Sequence, residues 1–319
     1  MRLIIERGNL VMKKMKKLTV LLLAAAMVFA LGACGGGGKT DAESTIVIYD
    51  GEFAEMQLIH YMVKLLVEEH TDLSVEIRDQ MSPTNSYNEL IRGNADIMNS
   101  YDGTLLTTFL HLDPADVPTG QSLYDFANEN AKEQGVELLE KLGINNTYIL
   151  AVPSEVAEAY ALKTTSDLIP VAGELVFGAE HDFFTEEGSA KFNPLVEFYG
   201  IEFKEARQLD ILLKYSAIDS RNIDVTVAYA TDSRNKQSDM VLLEDDLSFF
   251  PEYNVAILVR SDLFERFADT APNLKDVLNM LGGQFTDEDM IELSYSVDFD
   301  GRAVSDVAKE FLQSRGMIS

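Results

Sequence analysis

Short apolar segments with strand character alternate with segments of helical periodicity along most of this chain. Strands are predicted at IVIYD (46–50), LSVEIR (73–78), YILAV (148–152), ELVFGA (174–179), IDVTVAY (223–229), MVLL (240–243) and NVAILV (254–259). Helices are predicted over 54–69, 123–142 and through 262–314. The apolar face of the first helix carries Leu58, Ile59, Met62, Val63 and Leu66. This alternation predicts an α/β protein whose sheets have parallel character.

Two parts of the chain resemble each other around a tyrosine. NADI (94–97) stands four residues before Tyr101, as NIDV (222–225) stands four residues before Tyr229. Each motif follows a helical segment and begins a strand, so each tyrosine falls at the carboxyl end of its strand. Ligands bind at that edge in open α/β sheets.

A second repeat involves Tyr148 and Tyr253. Each precedes an apolar strand that ends in a serine followed by an acidic residue. Together the repeats predict two similar lobes, between which the chain crosses near 148 and again near 253. The predicted bounds are 46–147 with 254–319 for lobe 1, and 148–253 for lobe 2.

In this arrangement Tyr101, Tyr148, Tyr229 and Tyr253 meet in the cleft between the lobes. A quaternary ammonium group forms no ordinary hydrogen bond, but aromatic faces attract it by roughly 0.5 to 2 kcal/mol per contact. The tyrosines therefore predict a cage for an N-methylated cation, which closure of the lobes would complete. The alternative is that they are half-buried strand residues, a position that tyrosine favours in any case.

The only cysteine, Cys34, follows a segment that is typical of export signals. Residues 12–34 combine four lysines, an apolar run from 18 to 31 and small residues before the cysteine. The run is shorter than the roughly 20 residues that a membrane-spanning helix needs. Residues 1–33 are therefore predicted to be upstream residues plus a signal peptide that starts at Met12.

The stretch Leu31-Gly32-Ala33-Cys34 resembles a bacterial lipobox. This resemblance implies cleavage before Cys34, lipidation of its thiol and a lipid anchor on the outer face of the cytoplasmic membrane. The glycine-rich residues after Cys34 predict a flexible linker over 34–45. An ordinary signal peptide with a chance cysteine is the alternative.

Composition restricts the partners and the chemistry. The chain has 53 acidic and 26 basic residues, a formal net charge of −27, which disfavours nucleic acid and favours small cations. A solvated acidic surface explains the same charge equally well. With Cys34 lipidated, no thiol remains for a disulfide or a nucleophile, and the four histidines show no metal-ligand spacing. No metal site and no cofactor are predicted.

Several segments resemble the substrate-binding proteins of glycine betaine/carnitine/choline ABC transporters, and the similarity runs from about Thr45 to the end of the chain. These segments are DIMNSYDGT (96–104), GINNTYILAVPSEVAEAYALKTTSDL (143–168), AYATDSR (228–234), VLLEDDLSFFPEYNVAILV (241–259) and FTDEDMIELSYSVDFDGRAVSDVAKEFL (285–312). The resemblance implies a type II periplasmic-binding-protein fold, with two α/β lobes, a two-strand hinge and a ligand cleft between them. It also implies a non-enzymatic, monomeric protein that delivers a quaternary ammonium compound to a permease and its ATPase.

The resemblance also implies roles for particular residues. Tyr101, Tyr148, Tyr229 and Tyr253 match the tyrosines of the ligand cage. Asn146 and Thr104 match positions that contact the polar end of the ligand.

Two residues depart from the family pattern. Asp102 stands where the family has a threonine, and Met56 stands where it has a glutamine. A carboxylate near the site disfavours ligands that carry a carboxylate of their own, so these changes favour choline over glycine betaine or carnitine. The alternatives are that Asp102 is a turn residue facing water and that Gln57 replaces the missing amide.

Other functions are compatible with two lobes. A binding protein for another small cation or an amino acid has the same general sequence features. An enzyme on this scaffold is the remaining alternative, with the acidic run Glu244-Asp245-Asp246 as its candidate for acid/base chemistry. An exposed acidic turn explains that run better, because no histidine or phosphate-binding loop accompanies it.

Overall fold

A computed structural model describes residues 44–185, 190–210 and 213–319. The predicted signal segment, Cys34 and the linker up to residue 43 lie outside the described residues. No helix within the described ranges has both the length and the apolar character to cross a bilayer.

The strands of the described residues are β1 (Thr45–Tyr49), β2 (Ser74–Arg78), β3 (Ile97–Tyr101), β4 (Val136–Asn145), β5 (Tyr148–Pro153), β6 (Val176–Glu180), β7 (Glu205–Leu209), β8 (Val225–Tyr229), β9 (Met240–Leu243) and β10 (Asn254–Arg260). The helices are α1 (Ala54–His70), α2 (Pro83–Arg92), α3 (Asp102–Thr104), α4 (Leu123–Glu133), α5 (Ser154–Tyr160), α6 (Phe192–Tyr199), α7 (Lys214–Asp219), α8 (Arg234–Gln237), α9 (Leu263–Arg266), α10 (Leu274–Asn279), α11 (Asp287–Asp298) and α12 (Val304–Ser314). A π-helical turn, Leu105–Phe109, continues α3.

The sheets are mixed and fall into two lobes. In the first lobe β1 pairs with β2 in parallel, and β10 lies between β3 and β4 with antiparallel pairing. In the second lobe the order is β7-β6-β8-β5-β9, parallel from β7 to β8 and antiparallel from β8 to β9. The prediction of an α/β fold with two lobes is confirmed.

The repeated aspartate of the NADI and NIDV motifs performs the same task in both lobes. The Val47 N–H donates to the Asp96 carboxylate at 2.8 Å, and the Asp96 N–H donates to the Val47 carbonyl at 2.8 Å, which joins β1 to β3. Val176 and Asp224 exchange the equivalent bonds at 2.9 and 2.7 Å, between β6 and β8. The strands thus follow the same spatial order in both lobes, and the sequence repeat reflects a structural one.

Each lobe has its own hydrophobic core. In the first lobe α1 buries all five of its predicted apolar residues against strands and the C-terminal helices. In the second lobe Phe177 is fully buried, and its ring lies 5.0 Å from that of Phe192 and 5.1 Å from that of Phe203. Burying a side chain of this size contributes about 1.5 to 3 kcal/mol. These cores fix the edges of the sheets, and the tyrosines with them.

The chain crosses between the lobes in two adjacent segments. The first connects β4 to β5 through Asn146 and Thr147, and the second leads through 251–253 into β10. The Asn146 N–H donates to the Tyr253 carbonyl at 3.1 Å, and the Thr147 hydroxyl donates to the Pro251 carbonyl at 2.7 Å. Any change in the angle between the lobes must therefore pass through a few hydrogen-bonded residues, as in a hinge.

The predicted helix over 123–142 is wrong in its second half. The helix ends at Glu133, Gly135 adopts a left-handed backbone with φ 78°, and β4 begins at Val136. Leu138, Leu142 and Ile144 are buried in β4, at the even spacing of a strand. The closely spaced apolar residues of VELLEKLGI fit the period of a helix as well as that of a strand. The left-handed backbone of Gly135 ends the helix, so the residues after it form the strand.

Candidate ligand-binding site

Two pairs of tyrosine rings lie where the crossing segments meet the sheets. Tyr101, the last residue of β3, stacks on Tyr253 with ring centroids 5.3 Å apart and an interplanar angle of 28°. Tyr148, the first residue of β5, lies opposite Tyr229, the last residue of β8, with centroids 5.1 Å apart. Each pair is positioned by antiparallel neighbours, because the carboxyl end of one strand lies beside the amino end of the next.

The two pairs belong to one cluster. Burial is the first cause that raises the pKa of each of the four phenols. Charge interactions across the pairs add to it, since Tyr253 raises the pKa of Tyr148 and Tyr229 raises that of Tyr253. All four side chains are therefore neutral at physiological pH and present aromatic faces rather than phenolate charges.

Polar groups at the hinge fix the orientation of the rings. The Thr104 hydroxyl hydrogen-bonds the Tyr253 hydroxyl, and the Asn146 side chain lies close enough to the Tyr101 hydroxyl to lower the pKa of Tyr101. The Oδ1 atom of Asn146 accepts a bond from the Thr231 N–H at 3.3 Å. The structure thus brings Asn146 and Thr104 together with the predicted tyrosines.

Asp102 is buried rather than solvated, so the interpretation of a water-facing turn residue is wrong. Its carboxylate accepts the Gly103 N–H at 2.7 Å, the Asn254 N–H at 3.0 Å and the Asn254 side-chain amide at 2.8 Å. These bonds join the start of α3 to the start of β10 beside Tyr253. Asp102 therefore fixes the backbone next to Tyr253, and its negative charge raises the pKa of that tyrosine.

Met56 and Gln57 lie in the first turn of α1. The Met56 side chain packs so closely on Gly51 that a Cβ atom there would lie 2.9 Å from the methionine sulfur. The Gln57 side-chain amide donates to the Gly51 carbonyl at 3.0 Å, which holds it in the turn between β1 and α1. Both residues therefore position the amino-terminal end of α1.

Sequence reasoning missed a buried carboxylate in that same turn. Glu55 accepts hydrogen bonds from the Tyr101 hydroxyl and from the Thr231 hydroxyl, the latter at 2.7 Å. Its only signal was its place beside the divergent Met56, and a glutamate in the first turn of a helix is ordinarily exposed. Burial of such a residue depends on the second lobe, which lies far away in sequence.

A buried ion pair behind Tyr229 was also missed. The Lys214 ammonium lies 3.0 Å from the Glu180 carboxylate, 2.9 Å from the Val227 carbonyl and 5.4 Å from the Tyr229 ring centroid. Lys214 is only 1% exposed. Glu180 ends β6, so it lies at the edge of its sheet where ligands bind in open α/β folds.

Within the described ranges, no group of three or more histidine, cysteine, aspartate or glutamate side chains is arranged to hold a metal ion. The chemistry that the site offers is thus aromatic faces, hydroxyls, one amide and buried carboxylates.

Titration of Asp102 gives a testable effect of pH on stability. Burial raises its pKa from 3.8 to about 6, against the opposing hydrogen bonds. Because the folded-state value lies above the unfolded one, stability falls as the pH rises through the window from about 4 to 6. Between pH 4 and pH 7 we expect the wild type to lose about 2 to 3 kcal/mol of unfolding free energy relative to Asp102→Asn.

Urea unfolding of the wild type and of Asp102→Asn between pH 4 and pH 7 measures the effect. The contributions of all other acidic residues are the same in the two proteins and cancel in the difference. Parallel pH profiles of the two proteins would contradict the account of Asp102.

Comparisons with known proteins show the class to which this fold belongs, the solute-binding proteins of ABC importers. The sequence profile described as the substrate binding domain of ABC-type glycine betaine transport system matches residues 44–314. The chain belongs to this family. Its members and relatives are solute-binding proteins rather than enzymes, so the prediction that the chain is not an enzyme is confirmed.

Two relatives show how similar the sequences are. The chain is 31% identical over 298 residues to the carnitine transport binding protein OpuCC of Listeria monocytogenes. This alignment covers 92% of this chain and 94% of that protein. It is 30% identical over 282 residues to the ergothioneine transport permease/ergothioneine binding protein EgtU of Helicobacter pylori, which covers 86% of this chain. The match spans about half of that second protein, 48% of its length.

Solved structures share the fold. A crystal structure described as a glycine betaine/carnitine/choline ABC transporter aligns with a TM-score of 0.76 and 28% identity, over 86% of this chain and all of that one. The apo YehZ protein of Escherichia coli aligns with a TM-score of 0.73 and 18% identity, over 86% of this chain and 99% of its own length. The type II periplasmic-binding-protein fold is therefore confirmed.

Proposed function

We propose that this protein captures a quaternary ammonium compound in a cage formed by Tyr101, Tyr148, Tyr229 and Tyr253. The observation that carries the proposal is the presence of two close tyrosine pairs beside the crossing segments, one on the sheet of each lobe, whose phenols interact with one another. Neutral, half-buried phenol rings attract an N-methylated cation through their faces and expose no competing phenolate. Binding stabilises the closed form because the ligand then contacts both lobes.

We further propose the division of the chain that this mechanism needs. Residues 46–147 and 254–319 form lobe 1, residues 148–253 form lobe 2, and the segments near 146 and 253 act as the hinge. Asn146 and Thr104 orient the rings and face the polar end of the ligand. Asp102 and Met56 lie behind the cage and shape it.

Choline is the ligand that we favour. The Asp102 carboxylate lies behind Tyr253 and the Glu55 carboxylate contacts Tyr101, so buried acids face the cage from two sides. This environment favours a ligand with a net positive charge over one that brings its own carboxylate. Carnitine, glycine betaine and ergothioneine, which the names of relatives suggest, each carry one.

The remaining parts of the proposed function concern the cell. The family supports an extracytoplasmic protein that delivers its ligand to an ABC permease and the associated ATPase. On the sequence alone we add a lipid anchor at Cys34, a position on the outer face of the cytoplasmic membrane, and a monomeric state.

Titration calorimetry of the purified full chain tests the proposed ligand. We expect choline to bind at least about tenfold more tightly than glycine betaine or carnitine, with glutamine as the amino-acid control showing no heat of binding. A tighter complex with betaine, carnitine or ergothioneine would overturn the preference for choline. Binding of the amino acid without binding of any quaternary amine would overturn the cage itself.

A further inference from the structure

Glu55 connects the two lobes beside the tyrosine cage. It lies in the first turn of α1 in lobe 1, and one carboxylate oxygen accepts the hydroxyl proton of Tyr101 on β3. The other oxygen accepts the hydroxyl proton of Thr231 at 2.7 Å. Thr231 follows the last residue of β8 by two positions, so it belongs to lobe 2.

Asn146 adds a further contact between the hinge and lobe 2. Its Oδ1 atom accepts the Thr231 N–H at 3.3 Å, and its side chain lies close enough to the Tyr101 hydroxyl to lower the pKa of Tyr101. Glu55, Tyr101, Asn146 and Thr231 therefore link α1, β3, the hinge and the end of β8. A movement that opened the lobes at this point would break the bond between Glu55 and Thr231.

The charge of Glu55 is not balanced by the protein. The residue is 7% exposed, and no lysine, arginine or histidine of the described ranges forms an ion pair with it. Glu180, the buried glutamate on the other side of the cage, has Lys214 at 3.0 Å. A buried carboxylate is costly unless a cation or several hydrogen bonds compensate it, and among the described residues Glu55 has only two hydroxyl donors.

We propose that Glu55 is the counter-ion of the bound ammonium group, and that it thereby makes the site select net-cationic over zwitterionic ammonium compounds. The inference rests on the proposed function, because it places the ammonium group over the ring of Tyr101. A cation held within about 6 Å of that ring centroid comes close to the carboxylate that contacts the same ring's hydroxyl. The carboxylate of a zwitterion would be repelled by Glu55, whereas the hydroxyl end of a choline-like ligand would not.

The same arrangement couples ligand binding to a proton. Burial is the main cause that raises the pKa of Glu55, the carboxylates of Asp287 and Asp232 raise it further, and the hydroxyls of Tyr101 and Thr231 oppose this. A cation in the cage favours the ionised form, so binding lowers this pKa and releases the proton. The affinity for choline therefore rises with pH up to the pKa of Glu55 in the free protein, and levels off above it.

The decisive variant is Glu55→Gln in the full chain. Glutamine keeps the size of the side chain, accepts from Tyr101 and can donate to Thr231, so it removes the charge and retains both hydrogen bonds of residue 55. We expect the affinity for choline to fall by about tenfold or more, and that for glycine betaine to change by less than about threefold. The matched control is Glu265→Gln, which removes the same charge from an exposed position on α9 and should alter neither affinity.

The second readout is the pH dependence of choline binding by calorimetry. Asp102 titrates in both proteins, so the difference between the wild type and Glu55→Gln isolates Glu55. We expect the rise in affinity with pH to be clearly smaller in the variant, and the protons released on binding to decrease with it.

The outcomes separate this inference from the proposed function. If Glu55→Gln weakened the binding of choline and of glycine betaine equally, or left the affinity for choline unchanged, the role of Glu55 would be overturned. The proposed cage would remain valid in both cases. A wild type that binds no quaternary amine would overturn the cage first. Thermal unfolding of Glu55→Gln shows whether the variant is folded, and an unfolded variant together with a pH-independent affinity of the wild type would also overturn the role of Glu55.

Discussion

Replacing Tyr229 with alanine weakens choline binding by about 10- to 100-fold. The cation loses the aromatic face of Tyr229, and the ring of Tyr148 loses the neighbour that packs against it. Tyr229 and Tyr148 support each other, because their ring centroids lie only 5.1 Å apart. Truncation therefore leaves Tyr148 less well oriented as well. Titration calorimetry with choline measures the loss.

Two further variants identify the ring as the cause. Tyr229→Phe keeps the aromatic face and should lose less than about threefold. Tyr160→Ala removes an exposed tyrosine of lobe 2 whose hydroxyl bonds Glu174, and it should leave binding unchanged. If Tyr229→Phe were as damaging as Tyr229→Ala, the hydroxyl rather than the ring would be the essential group, and the cage would be the wrong description.

Replacing Lys214 with methionine lowers the unfolding free energy by about 3 to 5 kcal/mol, because it leaves the Glu180 carboxylate buried without its cation. The Oε1 atom of Glu180 already has no hydrogen-bond partner among the described residues. The ammonium group also compensates the Val227 carbonyl at 2.9 Å. Urea denaturation of the variant and the wild type measures the difference.

The double variant Lys214→Met/Glu180→Gln tests the physical reason. Removing both charges should restore most of the stability, because the penalty comes from one unpaired charge rather than from lost packing. Lys275→Met makes the same substitution at a half-exposed lysine 3.4 Å from Glu137 and should change stability little. A double variant as unstable as the single one would contradict this account.

The fold was predictable where local periodicity and long-range packing agree. The apolar face of α1 and the tyrosines at the ends of β3 and β8 follow from spacing alone. The NADI and NIDV motifs also predicted a repeat, because in both lobes an aspartate fastens the start of one strand to a neighbouring strand. The helix prediction was wrong for residues 134–142, because their apolar residues fit a helical period and a strand period at once. A single glycine, Gly135, decides between the two structures.

The site was predictable only in part, since its electrostatics depend on contacts between distant segments. Glu55 and Thr231 are 176 positions apart, and nothing near either residue in the sequence indicates their bond. Lys214 is an ordinary helical lysine until the fold places it against Glu180 and the ring of Tyr229. Asp102 was recognised as unusual, but its burial follows from hydrogen bonds to Asn254, which lies in a strand 152 positions away.

A crystal structure of the protein with bound choline tests the central claim most directly. The account predicts that the trimethylammonium group lies within about 6 Å of the ring centroids of Tyr101, Tyr148, Tyr229 and Tyr253, with rings from both lobes around it. Choline bound elsewhere, or in contact with the tyrosines of one lobe alone, would contradict it.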